Sequence, residues 1–175
     1  MALSFNVPIK NVSLNTHGFK SNALYISNLI NEYDIIFLSE HWLSKAEQSL
    51  ITDISKPHHR IYFTPAEKQA SGRPYGGNCF ITRNTVAEST EVIYQDFNIL
   101  AIKVTKMNLS YLYIGIYLTS YREKSSIESY NNELNILTSL INTYSGESEI
   151  ILVGDFQAFP STIYDDEARK SLRSV

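Results

Sequence analysis

Four polar residues stand where apolar, β-forming runs stop. Asn15 ends "NVSLN", Glu40 ends "DIIFLSE", Tyr117 lies near the end of "YLYIGIYL", and Asp155 follows "IILVG". Residues at the ends of neighbouring strands converge in space, and loops above a sheet carry most binding and catalytic groups. An Asn, a Glu and an Asp brought together offer hard oxygen ligands, which suit Mg²⁺ or Mn²⁺ rather than zinc. Mg²⁺ takes only one or two protein carboxylates and leaves the rest of its shell to water and substrate phosphate. One glutamate with a supporting asparagine is then a sufficient minimum. Taken singly, each residue has a plainer reading: Glu40 and Asn15 as turn residues, Tyr117 as a core aromatic. What singles them out is their order, each at the end of a separate strand.

The elements that must position them alternate in kind. Residues 11–16 read as a strand. Ile26, Leu29, Ile30 and Tyr33 recur at the spacing of one helix face, predicting a helix over 20–33. Residues 34–40 form a continuous apolar run, as expected of a strand covered on both sides. A short helix is expected over 45–54 and a strand over 59–65. Residues 66–76, "AEKQASGRPYG", carry the Gly, Pro and Ser of a loop. Runs at 76–82, 90–95, 98–105 and 109–119 come next at hairpin-like spacing, with "KMN" short enough to join an antiparallel pair. Ile127, Tyr130, Leu134, Leu137, Ile141 and Tyr144 then mark one face of a helix over 126–144, with Ser125 or Ser126 as its cap and Gly146 as its stop. "EIILVGDF" is a strand, and "IYDDEARKSLRS" reads as a final helix. Helices must cover sheet faces that are themselves packed on something. The simplest solution is two sheets face to face with helices outside, in one domain over 1–175.

The chain has 175 residues, 43% of them hydrophobic, 19% charged, and a net charge of −3. That is one domain's worth with material for a core, and it excludes disorder. The charge excludes a protein that coats polyanions with bulk positive charge, but not an enzyme with a local basic groove. A single cysteine, Cys79, excludes internal disulfides and reads as a small buried residue. No signal peptide and no span-length apolar run is read, so no membrane partner is expected and the expected address is cytoplasmic or nuclear.

The segments "SLNTHGF", "DIIFLSEHWL", "GRPYGGNCFI", "IGIYLTSYR" and "IILVGDFQAFP" together resemble the successive motifs of the endonuclease/exonuclease/phosphatase family. Their flavour is that of the endonuclease domain of LINE-type (non-LTR) retrotransposons, and the resemblance runs over roughly residues 11–160. It implies a four-layer α/β/β/α sandwich of two facing mixed β-sheets and metal-dependent hydrolysis of phosphoesters, with DNA as the substrate and Mg²⁺ or Mn²⁺ as the cofactor. By motif, Asn15 matches the asparagine that orients the site, and Glu40 the principal metal-binding glutamate, with Asn15 beside it. Tyr117 matches a tyrosine that contacts the scissile phosphate, and Asp155 the aspartate that positions or activates the attacking water. Among the basic residues expected near the site face (Lys45, Arg73, Arg83, Arg122 and Lys124), Arg73 and Arg122 are the expected nucleic-acid contacts. Trp42 is expected to pack in the core near the site.

Two departures from the family pattern shape the expectation. Where the family reads Gly-Asp-Phe-Asn this chain has Gln157, one methylene longer. The family also ends with further strands and a Ser-Asp-His or Asp-His motif, which the sequence does not reach before Val175. Of the four histidines, His17, His41, His58 and His59, none lies in such a context. His41 is expected to face away from Glu40, and His58 and His59 to lie on the surface. The resemblance thus implies a C-terminally incomplete domain lacking the last strands, an open sheet edge that a partner or a missing segment covers, and impaired catalysis. The alternatives are a non-catalytic remnant or interaction module that keeps the fold, and a phosphoesterase of the same family with a non-DNA substrate.

Overall fold

The computed structural model describes residues 8–55, 57–68, 72–86, 89–120 and 124–157. The expected final helix and Arg122 lie outside them. Among the described residues, eight strands and three helices run in the order β1 (Asn11–Asn15), α1 (Phe19–Glu32), β2 (Ile35–Ser39), α2 (Ser49–Ser55), β3 (His59–Thr64), β4 (Asn78–Arg83), β5 (Ser89–Gln95), β6 (Ile99–Lys106), β7 (Leu109–Tyr117), α3 (Lys124–Tyr144) and β8 (Glu149–Asp155). They form two mixed sheets, β1-β2-β4-β3 and β5-β6-β7-β8. In each, the pair joined through a helix is parallel (β1 with β2, β7 with β8) and the rest are antiparallel, as crossover connections require. No helix among the described residues is long and apolar enough to cross a membrane.

The alternation of side chains along each strand divides the core into three layers. Ile36 and Leu38 of β2 pack with Ile26, Leu29 and Ile30 of α1. Leu112, Ile114 and Ile116 of β7 pack with Leu137 and Leu140 of α3. The odd-numbered residues Ile35 and Phe37 of β2 instead face Tyr113 of β7 and Leu100, Ile102 and Val104 of β6 across the gap between the sheets. Phe80 sits between, its ring 4.8 Å from Phe37 and 6.4 Å from Tyr113. Gly115 of β7 lets the sheets close on Phe37, since a Cβ on Gly115 would lie 2.1 Å from that ring. β1 and β2 lie against β8, and β2 and β4 against β7.

Local expectations hold with exceptions. The two-residue turn Met107–Asn108 joins β6 to β7 with φ of 50° and 62°, the paired left-handed conformation that suits a tight hairpin. The predicted short helix is a 3₁₀ turn at Lys45–Glu47 followed by α2. α3 is described from Lys124 onward. Gly146 is not in the left-handed conformation of a helix stop. His59 is not a surface loop residue: it opens β3, and its Nδ1 lies 2.6 Å from the carbonyl oxygen of Ser55. Arg83 is at the wrong end of β4 to serve a site. Its guanidinium donates to the carbonyls of Ile30, Asn31 and Tyr33 at the end of α1 and pairs with Asp34.

Candidate active site

Parity explains how the strand ends converge. Tyr117 and Asp155 are in step with the gap-facing residues of their own strands (Tyr113, Ile151 and Val153), and Asn15 alternates with Val12 and Leu14, which pack toward α1. They emerge at the rim of the two sheets, with Tyr117 paired to Asp155 at the last register position of β7 and β8. Glu40 is out of step. It comes after β2 with φ of 53°, and this left-handed residue breaks the alternation and turns the carboxylate back over the gap.

One amide joins the two sides. Asn15 Nδ2 donates to Glu40 Oε1 at 2.9 Å and lies 3.5 Å from Asp155 Oδ2. Asn15 Oδ1 accepts from the backbone N–H of His17 at 3.2 Å. The amide therefore points its donors at the carboxylates and its oxygen away from them. The second oxygen of Glu40 lies 3.3 Å from His17 Nδ1. Burial first, then the neighbouring Glu40 carboxylate, with a contribution from Asp155, push the Tyr117 hydroxyl up to about 12 against the opposing charge of Arg73. It is a permanent donor near neutral pH.

Asp155 is gripped by the glutamine two places beyond it. The backbone N–H of Gln157 donates to Oδ1 at 2.9 Å and its side-chain Nε2 to Oδ2 at 3.0 Å. The extra methylene lets the amide fold back onto the acid two residues earlier, with Gln157 itself at φ of 52°. Gly154 is fixed by close approach: its φ is 124°, and a Cβ there would lie 2.0 Å from the carbonyl oxygen of Ile116. Tyr117 is held from behind, its N–H donating to Asn98 O at 2.8 Å. Asn98 and Thr119 in turn converge on the buried carboxylate of Glu133 in α3.

His41 is turned into the protein beside Phe63 and serves as an anchor. Its ring is fully buried, stacked on Phe63 at 4.6 Å; Nε2 meets Thr64 O at 3.1 Å and Nδ1 accepts from Leu43 N–H at 3.0 Å. Burial lowers its pKa to about 4, so it is a neutral wedge between Glu40 and Trp42.

The profile of the Endonuclease/Exonuclease/phosphatase family matches residues 12–163. The chain belongs to that family. Solved structures share its fold at low identity. A humanized D. rerio TDP2 aligns with a TM-score of 0.64 at 16% identity, over 90% of this chain and 69% of its own. The 3′ phosphatase NExo from Neisseria gives 0.61 at 14%, over 87% and 59%. The AP endonuclease LMAP from Leishmania major gives 0.65 at 13%, over 84% and 54%. The chain thus spans between about half and about two-thirds of the length of these structures. No curated protein matches it.

Of the residues assigned to the family motifs, Asn15, Glu40, Tyr117, Asp155 and Gln157 come together at one rim, and Arg73 lies close enough for its charge to act on Tyr117. Among the described residues, no three His, Cys, Asp or Glu side chains are arranged to hold a metal by themselves. A hard ion would thus draw on Glu40 with Asp155 near it, water and phosphate, which is how Mg²⁺ sites are usually built. Two neighbours are not evident from the sequence. His17 is two residues beyond Asn15, in the turn "NTHG" whose backbone folds over the asparagine. Trp42 is not a core residue: it is half-buried at the rim beside Arg73.

Proposed function

We propose that this chain is a divalent-metal-dependent phosphodiester hydrolase acting on DNA, of the retrotransposon endonuclease type. The observation that carries this reading is the meeting of Glu40 from one sheet with Asp155 and Tyr117 from the other around the Asn15 amide. Family membership and the motifs "LSEHWL", "GRPYGG" and "GDFQ" support it. Among the structures of like fold, NExo is bound to a product DNA hairpin and D. rerio TDP2 to a single strand DNA product, which favours DNA over other phosphoesters.

Glu40 would hold Mg²⁺ or Mn²⁺, supported by Asn15, whose N–H fixes the carboxylate. When bound, the ion supplies Lewis-acid polarisation of a phosphoryl oxygen. Asp155, oriented through both oxygens by Gln157, positions the attacking water and accepts its proton. The Tyr117 hydroxyl donates to a non-bridging phosphate oxygen, where negative charge grows during in-line displacement. Arg73 and Arg122 are the proposed backbone-phosphate contacts.

Nicking of supercoiled plasmid with Mg²⁺ or Mn²⁺ tests the reading, with Asp155→Ala as the control. The expected result is slow, metal-dependent nicking that Asp155→Ala abolishes. A folded wild-type chain that leaves the plasmid intact, or nicking that survives Asp155→Ala, overturns it.

A further inference from the structure

The rim of the site holds a side-chain stack whose aromatic member the proposed chemistry leaves unused. The Arg73 guanidinium lies over the Trp42 ring, 4.2 Å from its centroid. The backbone is arranged around this ring. Trp42 has φ of 56°, which a bulky aromatic adopts only when its surroundings impose it. The indole also rests on Gly18, whose φ is 99° and whose Cβ, if present, would lie 2.6 Å from it. The described residues that flank Arg73 are anchored. Glu67 and Tyr75 exchange backbone hydrogen bonds at 3.1 and 2.9 Å, and Gly76 O accepts from Trp42 N–H at 3.2 Å. Among the described residues Arg73 forms no ion pair. The charge is thus held at the rim by an aromatic face while its N–H edges stay uncommitted. That arrangement suits recognition of an oxyanion by a planar fork of donors.

We propose that Trp42 and Arg73 form a phosphate subsite beside the carboxylates. Arg73 binds a backbone phosphate next to the one under attack, and Trp42 is the positioning residue that fixes its guanidinium. This rests on the phosphodiesterase reading and narrows it: the substrate is a strand carrying at least two phosphates, not a phosphomonoester. The influence of Arg73 on Tyr117 places the two anion-binding groups within electrostatic reach of each other.

Trp42 is the only tryptophan in the chain, so its emission reports this subsite directly. The full chain is titrated with a short single-stranded oligonucleotide and, in parallel, with inorganic phosphate. Affinities of Arg73→Gln, Arg73→Lys, Trp42→Leu and Trp42→Phe for a labelled oligonucleotide are read by anisotropy over a salt series, with a thermal melt to confirm each fold. The oligonucleotide should change Trp42 emission at concentrations where inorganic phosphate does not. Arg73→Gln should weaken binding about tenfold and lower the salt slope by about 1. Trp42→Leu and Arg73→Lys should behave like it, Trp42→Phe should keep most of the affinity, and the double variant Arg73→Gln/Trp42→Leu should be no worse than Arg73→Gln.

Unchanged affinity and slope in Arg73→Gln, or wild-type behaviour of Trp42→Leu, overturns the subsite. So does saturation by inorganic phosphate at oligonucleotide concentrations, or a wild-type chain that binds no oligonucleotide. If Asp155-dependent nicking persists through any of these, the subsite alone fails. Arg73-dependent binding without Asp155-dependent nicking fails the catalytic reading and keeps the subsite.

Discussion

Asn15 precedes Asp155 by 140 residues, yet its amide nitrogen lies 3.5 Å from that carboxylate. The same nitrogen bonds Glu40 at 2.9 Å, so a single donor sits between acids delivered by two different sheets. Replacing it with a third acid, Asn15→Asp, sets like charges against one another. The variant should lose about 1–3 kcal/mol of stability, the cost of stranding part-buried polar groups. Its Tm should fall by about 2–4 °C per kcal/mol for a chain of this size. Added Mn²⁺ should restore more stability to the variant than it gives the wild type. A thermal melt with and without Mn²⁺ checks both, and an unaltered Tm removes Asn15 from the joint.

Glu40→Ala should abolish Mg²⁺ and Mn²⁺ binding measured by titration calorimetry. Wild-type binding should itself be weak, because few charged ligands are available. Equal heats from the two proteins would take Glu40 out of the metal role.

Tyr117→Phe removes one hydroxyl and leaves the ring in β7. With the donor gone from the developing phosphate charge, nicking should slow by roughly a hundred- to a thousandfold, with Tm unchanged. A rate within a factor of two of wild type would assign Tyr117 to packing alone.

Burial holds His41 at a pKa of about 4, against 6.5 for the exposed side chain. The unfolded chain therefore binds this proton more readily than the folded one. The contribution of His41 is complete above about pH 6.5, declines as pH falls through the window to about 4, and is then spent. It amounts to at most on the order of 3 kcal/mol. Urea midpoints between pH 7 and pH 4.5 should fall accordingly. A His41→Gln chain, less stable at pH 7, should show a shallower decline over the same window.

Gly154→Ala would force a Cβ to within 2.0 Å of the Ile116 carbonyl at a φ of 124°. Neither the neighbouring strand nor the dihedral can yield cheaply. The expected loss is about 3 kcal/mol or more, read as a drop in urea midpoint and a loss of soluble expression. A stable Gly154→Ala protein would show that β8 can shift away from β7.

The layers were legible in the sequence because burial and period coincide. α1 and α3 carry one apolar face each, and β2, covered on both sides, reads as an unbroken apolar run. The convergence of Asn15, Glu40, Tyr117 and Asp155 was legible from strand ends and motif order. Trp42, His17 and the grip of Gln157 were not, because each depends on a left-handed residue outside glycine: φ is 56° at Trp42, 43° at His17 and 52° at Gln157. Alternation rules assume extended backbone, and they fail where the chain reverses its own parity. Arg83 misled for a related reason. Its charge suggested a site face, while its donors were claimed by the carbonyls that end α1 and by Asp34.

The contact of Gly115 with Phe37 reaches beyond packing. Glu40 rides on the sheet that contains Phe37, and Asp155 on the strand beside Gly115. The thickness of the layer between them therefore calibrates the aperture in which a phosphate must fit. A larger residue at position 115 would act as a shim, prising the two jaws apart. The first loss would be the reach of Asn15 to Asp155, well before the fold gave way. The calibre of the opening is thus set in the layer between the sheets, by the absence of one methyl group at Gly115.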